Sequence, residues 1–305
     1  MTRFQKLCLA TLATTLVLVA VGGFTRGSGS GFGCGERWPL CEGGVLGGLL
    51  PRWEFHMVVE WSHRWLAAMV GVLVVITAIV AWRDHGADRR VTWPATTTVV
   101  AVGLQGYLGR VVVTTGLDRD LVTAHLASAM LVLALLGYTT VSGYCTVSRS
   151  VPDTHVDLSW SRLLAVGAMG VLIVLLLGSA VHDVYVPGWP LVEGSVVPRR
   201  FDGRTLTHLA HRVTAAGLTW LAVWLTFAGA RRRRPRVEVV LVRVAAAAIV
   251  VNVVLGAAHV LTEVALSGLV VAHLAAGAVA WTAFVVAAVV ARRHDERLGW
   301  VEVPA

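Results

Sequence analysis

Apolar residues in this chain gather into eight runs, near 5–23, 57–82, 93–113, 121–145, 160–181, 206–229, 239–260 and 263–291, joined by short polar connections. Each run reaches the length of about 20 residues that crosses a hydrocarbon core at about 1.5 Å of rise per residue. The pattern predicts an all-α integral membrane protein of eight transmembrane helices, and an even number of spans puts both termini on one side. The first run follows Arg3 and Lys6 as a signal peptide would, but it is long for an h-region and is expected to be a retained span.

Composition strengthens this reading. Of 305 residues, 56% are hydrophobic and 14% charged, whereas a soluble domain carries about a quarter charged residues. The formal charge of +8 is a matter of topology. Arg3 and Lys6, then Arg83, Arg89 and Arg90, Arg149 and Arg162, the run Arg231 to Arg234 with Arg236 and Arg243, and finally Arg292, Arg293 and Arg297 all fall on one face. The other face has roughly half as many, so both termini are expected in the cytoplasm of a multi-pass cell-membrane protein surrounded by lipid. The same rule reads the Arg231 run as a positive-inside loop and not as a nucleic-acid site.

The chain also repeats itself. His63-Arg64 with Ala67-Ala68 in the second span returns as His211-Arg212 with Ala215-Ala216 in the sixth. Ala124-His125-Leu126-Ala127 in the fourth returns as Ala272-His273-Leu274-Ala275 in the eighth, and 62 residues separate the two histidines in each half. Loops repeat too, Trp38-Pro39-Leu40-Cys41-Glu42-Gly43 against Trp189-Pro190-Leu191-Val192-Glu193-Gly194. Two tandem four-helix bundles follow, residues 1–150 and 151–305, related by a pseudo-twofold axis along the membrane normal.

Each of the four histidines lies just inside the outer end of an even-numbered span. A charged group at mid-helix costs about 2.5–3.5 kcal/mol on insertion scales, so ionisable residues there are functional candidates by default. A neutral imidazole costs less, and any single one is as readily a helix-to-helix hydrogen bond. Two on facing helices can take a haem iron from both sides. Small neighbours such as Ala67, Ala68, Ala124 and Ala127 leave room for a macrocycle, or simply let helices pack closely. Zinc fits less well, because nothing nearby completes a tetrahedral set. Arg64 and Arg212 could pair with haem propionates or with lipid headgroups. His56, His182, His208 and His259 are read as interfacial, with His182 or His208 as an alternate ligand.

Two differences separate the halves. Glu60 precedes His63 by one turn, on the same helix face, where the second half has His208. A carboxylate there could move protons or serve as partner to an imidazole. Cys34 and Cys41 in the first outer loop, a pair that an oxidising compartment would join, stand opposite Tyr185 and Val192. Cys8 and Cys145 read as small buried hydrophobes.

With Thr25-Arg26-Gly27-Ser28-Gly29 after the first span, Cys34 to Cys41 around Trp38-Pro39-Leu40, Glu60-Trp61-Ser62-His63-Arg64, His125, His211-Arg212 and His273, the chain resembles the bacterial haem A synthase family over essentially its whole length. The resemblance implies oxidation of a ring methyl of haem O to a formyl group. It implies that His63 and His125 bracket this substrate haem with Glu60 as catalytic carboxylate, and that His211 and His273 ligate a haem b that relays electrons. Cys34 and Cys41 would form a disulfide open to thiol exchange outside the cell. Many members have a second cysteine pair that this chain lacks, and Gly35-Glu36-Arg37 departs from the commoner proline-aspartate pattern, which is expected to alter the turn and not the pair. Haem O synthase, oxidase assembly factors and a second copy of the chain are the candidate partners. The competing readings are a di-haem b-type electron-transfer cytochrome, for which Glu60 would be dispensable, and a haem exporter that leaves its haem unchanged.

Overall fold

A computed structural model describes residues 1–144, 151–152, 158–181, 186–196, 198, 202–263, 266–298 and 300–301. Cys145, Arg149, His182, Tyr185, Arg199 and Arg200, and the boundary near residue 150, lie outside the described residues. Eight long helices make up the molecule: α1 (Arg3–Gly27), α2 (Phe55–His85), α3 (Arg89–Thr114), α4 (Arg119–Tyr144), α5 (Ser159–Val181), α6 (Gly203–Arg231), α7 (Arg236–Leu261) and α8 (Ser267–Leu298). All eight are long and apolar enough to cross a membrane, and the chain is a multi-pass membrane protein.

Most helices run past the apolar windows because polar caps extend them. Thr2 and Gln5 form a reciprocal capping box on α1, Asp88 caps α3 and Asp202 caps α6. The last span departs from expectation at its start. Glu263 takes a left-handed backbone (φ 50), the chain turns, and α8 begins at Ser267, whose hydroxyl donates to the Gly27 carbonyl at 2.8 Å. Val151–Pro152 and Trp300–Val301 form a two-residue antiparallel pair.

Packing follows chain order. α1 packs on α2, α2 on α3, α3 on α4, and α4 returns to α1; α5 to α8 close a second ring in the same way. The rings meet where α1 touches α8, α4 touches α5, and α4 touches α8. As a result α8 is central: half of its spanning window is buried, against 22–28% in the others. Met130, Leu133, Leu164, Leu225 and Phe284 fill the shared core, and the Trp281 indole donates to the Met130 carbonyl across it at 2.9 Å. Exposed Val72, Ile79, Leu104, Phe227 and Val254 suit a solvent of lipid tails, in which helices satisfy their own backbone groups.

The two ends differ. At the arginine-rich end, Arg234 pairs with Glu238 (2.9 Å) and Asp295 (2.7 Å), and the Trp160 indole donates to Glu238 at 3.0 Å. These bonds join α5, α7 and α8. The other end carries the α1–α2 and α5–α6 loops, each with a cis Trp-Pro peptide (Trp38-Pro39 and Trp189-Pro190).

Candidate functional site

The four histidines share one level. His63 and His211 each sit eight residues from the start of their helix, and His125 and His273 each sit six, which is about 9–12 Å inside the bundle at 1.5 Å per residue. An imidazole at that depth needs space beside a neighbouring helix, and a glycine on the preceding helix supplies it every time. A Cβ built on Gly22, Gly109, Gly178 or Gly256 would come 3.0, 3.1, 3.1 and 3.2 Å from Cε1 of His63, His125, His211 and His273 respectively. Every hairpin is thus a glycine seat followed by a histidine. The repeat does not single out these glycines, since glycine is common in membrane helices. The available signal was Leu108-Gly109 against Leu255-Gly256, each preceded one turn earlier by an amide, Gln105 and Asn252.

In the second half the rings are tied. His211 Nδ1 lies 3.1 Å from the Val174 carbonyl and His273 Nδ1 3.1 Å from the Asn252 carbonyl. With Nδ1–H donated to a carbonyl, the Nε2 lone pair remains for a metal. The two ring centres are 6.4 Å apart. Metal–imidazole nitrogen bonds run about 2 Å and each ring adds about 1 Å more, so imidazoles sharing one iron stand roughly 6 Å apart centre to centre. The pair therefore fits two-sided ligation of a haem. His259, in the last turn of α7, lies parallel to His273, with ring centres 6.5 Å apart and 7° between the planes. His208 is half-buried one turn before His211. Among the described residues no three His, Cys, Asp or Glu side chains gather as a chelating set.

In the first half the rings are loose. Nδ1 of His63 and Nδ1 of His125 are buried without a hydrogen-bond partner. Instead Gln105 Nε2 lies 3.2 Å from His125 Nε2 and donates to the His125 carbonyl at 3.0 Å.

Beside His63, Glu60 is 3% exposed and both of its oxygens are engaged. Oε2 accepts from the Cys34 N–H at 2.7 Å, while Oε1 is paired with Arg64 at 2.5 Å. Burial of a carboxylate is tolerable when charge and hydrogen bonds compensate it. Arg64 also donates to the carbonyls of Gly35, Arg37 and Leu40. Arg212 donates to those of Val186, Gly188 and Leu191, which are the same three positions in the α5–α6 loop when Trp38 is aligned with Trp189. Both guanidiniums therefore clamp a loop over the histidine end.

The loop in the first half is further closed by a Cys34–Cys41 disulfide. Both cysteines are 0% exposed, so a reagent must open the loop before it reaches the sulfurs; the expectation of a disulfide open to exchange is corrected accordingly. His56 Nδ1 meets the Ser30 hydroxyl at 3.0 Å, and Cys8 is buried as a small apolar side chain.

A family model described as cytochrome oxidase assembly protein matches residues 5–54 and 50–285. A haem A synthase of Shouchella clausii is 28% identical over 271 residues, covering 85% of this chain and 87% of that protein. The haem A synthase of Symbiobacterium thermophilum is 30% identical over 227 residues, covering 71% and 72%. That of Bacillus licheniformis is 33% identical over 126 residues, a match spanning 41% of this chain and 40% of that protein.

Proposed function

The chain belongs to the haem A synthase family of cytochrome oxidase assembly proteins, and we propose that it oxidises a ring methyl of haem O to the formyl group of haem A, by successive hydroxylations, for use in terminal oxidases. In this reading residues 1–150 form the substrate bundle, with haem O between His63 and His125. Residues 151–305 form the cofactor bundle, with His211 and His273 as ligands of a haem b. That haem, when bound, supplies one-electron transfer. Haem O comes from a haem O-producing enzyme outside the chain, the oxidant and the electron carriers for each hydroxylation are likewise external, and the product passes to oxidase assembly. Arginine-rich loops lie in the cytoplasm with both termini, so the histidine end faces out.

One observation carries the assignment of roles. Glu60 is the single carboxylate on the histidine turn of α2, at the position that His208 occupies in α6. Its neighbours keep it ready: Arg64 and the Cys34 amide balance its charge, and Cys34 belongs to the loop that Arg64 clamps, which limits water. In the reaction Glu60 moves protons beside the reacting methyl group, a role worth about 10²–10⁴ in rate for a placed acid–base group. His63 and His125 orient the macrocycle so that the reacting edge meets this carboxylate.

The test is extraction of haem from membranes that contain this chain and a haem O source, followed by mass analysis. Wild type should yield the formyl product. Glu60→Gln should yield none while still binding haem, whereas unimpaired activity in Glu60→Gln would favour a di-haem electron-transfer cytochrome.

A further inference from the structure

A nitrogen lone pair serves one acceptor role at a time. The Nε2 atom by which His125 would hold iron is the atom facing the Gln105 amide, 3.2 Å away. The second N–H of that amide goes to the His125 carbonyl at 3.0 Å, so both of its donors are directed at one residue. Gln105 Oε1 is buried without a partner, and so is His125 Nδ1. The amide is thus held in place by His125 and by nothing else it could accept from.

The equivalent position on α7 is different in kind. Asn252 is shorter by one methylene, and its contact with His273 runs through its backbone carbonyl to Nδ1, at 3.1 Å. That bond favours metal binding at Nε2, since it fixes the proton on the far nitrogen and raises the basicity of the near one. The Gln105 bond competes for Nε2 directly.

We infer that Gln105 is a positioning residue that competes with iron for His125, so that haem in the first bundle exchanges while haem in the second stays. The inference rests on the proposed ligand roles of the histidines. It supplies what a substrate site needs and a cofactor site does not: a ligand that lets go when product must leave. When iron departs, the Gln105 amide takes over the vacated lone pair and the His125 ring keeps its hydrogen bond. A neutral hydrogen bond of this kind shifts an equilibrium by roughly three- to tenfold.

The experiment uses the full chain in detergent, loaded with haem O and haem b, and follows haem transfer to excess apomyoglobin by the change in Soret absorbance. Wild type should release its haem in a fast and a slow phase, with His125→Ala abolishing the fast one. Gln105→Asn should slow the fast phase about three- to tenfold and leave the slow phase unchanged, which also reports intact folding. Gln105→Leu, which has no donor, should do the same. A fast phase that depends on His125 but is unmoved by either Gln105 variant overturns the competition alone. A fast phase indifferent to both His63→Ala and His125→Ala overturns the ligand assignment and the competition with it.

Discussion

In the second half of the molecule both histidine rings are tied by Nδ1 to a backbone carbonyl, and in the first half neither is. The contrast continues around them. The second half surrounds its pair with further imidazoles, His208 and the parallel His259, and closes its arginine-rich end with Arg234 paired to the buried Glu238 and Asp295. The first half has Glu60, a buried disulfide and, at its arginine-rich end, an apolar cluster of Phe4, Cys8, Ala81 and Val91. Hairpin geometry and loop clamps are nevertheless the same. On the proposed reading one frame serves two purposes: tied ligands suit a haem that stays, and loose ligands beside a carboxylate suit a haem that is changed and released.

The largest expected effect breaks the contrast at its chemical centre. Glu60→Gln should lower haem A formation by about 10²–10⁴ with both haems still bound, whereas His208→Gln at the matching position should leave most of the activity. Comparable losses in the two variants would mean that the halves are not specialised as proposed.

The loop clamps sharpen the comparison next. Arg64→Ala removes a guanidinium from a 3% exposed carboxylate, and breaking a buried pair from one side costs about 3–5 kcal/mol. Arg212→Ala removes the donors to the Gly188 and Val186 carbonyls, a loss of about 1–3 kcal/mol. Thermal unfolding in detergent should rank them in that order. Replacing Cys34 and Cys41 together by serine should cost about 2–4 kcal/mol, and activity should fall in parallel because the Cys34 amide that holds Glu60 then moves with the loop.

The sequence announces the spans clearly, because the bilayer sets their length and penalises charge, and it announces the four histidines because duplication repeats them at a fixed spacing. What it hides is direction. Arg64 beside His63 was open to propionates or headgroups, and the structure turns its guanidinium toward the loop carbonyls and Glu60; nothing in an adjacent His-Arg pair encodes that turn. α8 starts four residues after the apolar run does, because hydropathy does not register a left-handed Glu263. Gln105 and Asn252 escaped notice since 20 residues separate Gln105 from His125 and 21 separate Asn252 from His273, which blurs an otherwise strict repeat. His182, which lies outside the described residues, keeps only its sequence-level reading.

The smallest expected effect tests the seats themselves. A methyl group on Gly178 or Gly256 would press on Cε1 of His211 or His273 from 3.1 or 3.2 Å, and those rings cannot retreat without giving up the bonds to Val174 or Asn252. Gly178→Ala and Gly256→Ala should therefore each cost about 1–3 kcal/mol, the usual range for overpacking, and shift the Soret band of the retained haem. Gly109→Ala presents the same methyl to His125 from 3.1 Å, but that ring has no Nδ1 bond to lose, and its Nε2 contact is to the flexible Gln105 side chain, which can follow a tilt. Its cost should be lower and its spectral change confined to the exchangeable haem. Equal costs at Gly109 and Gly256 would mean that the carbonyl bonds do not hold the second pair more firmly, and the division into a fixed and a movable half would lose its physical basis.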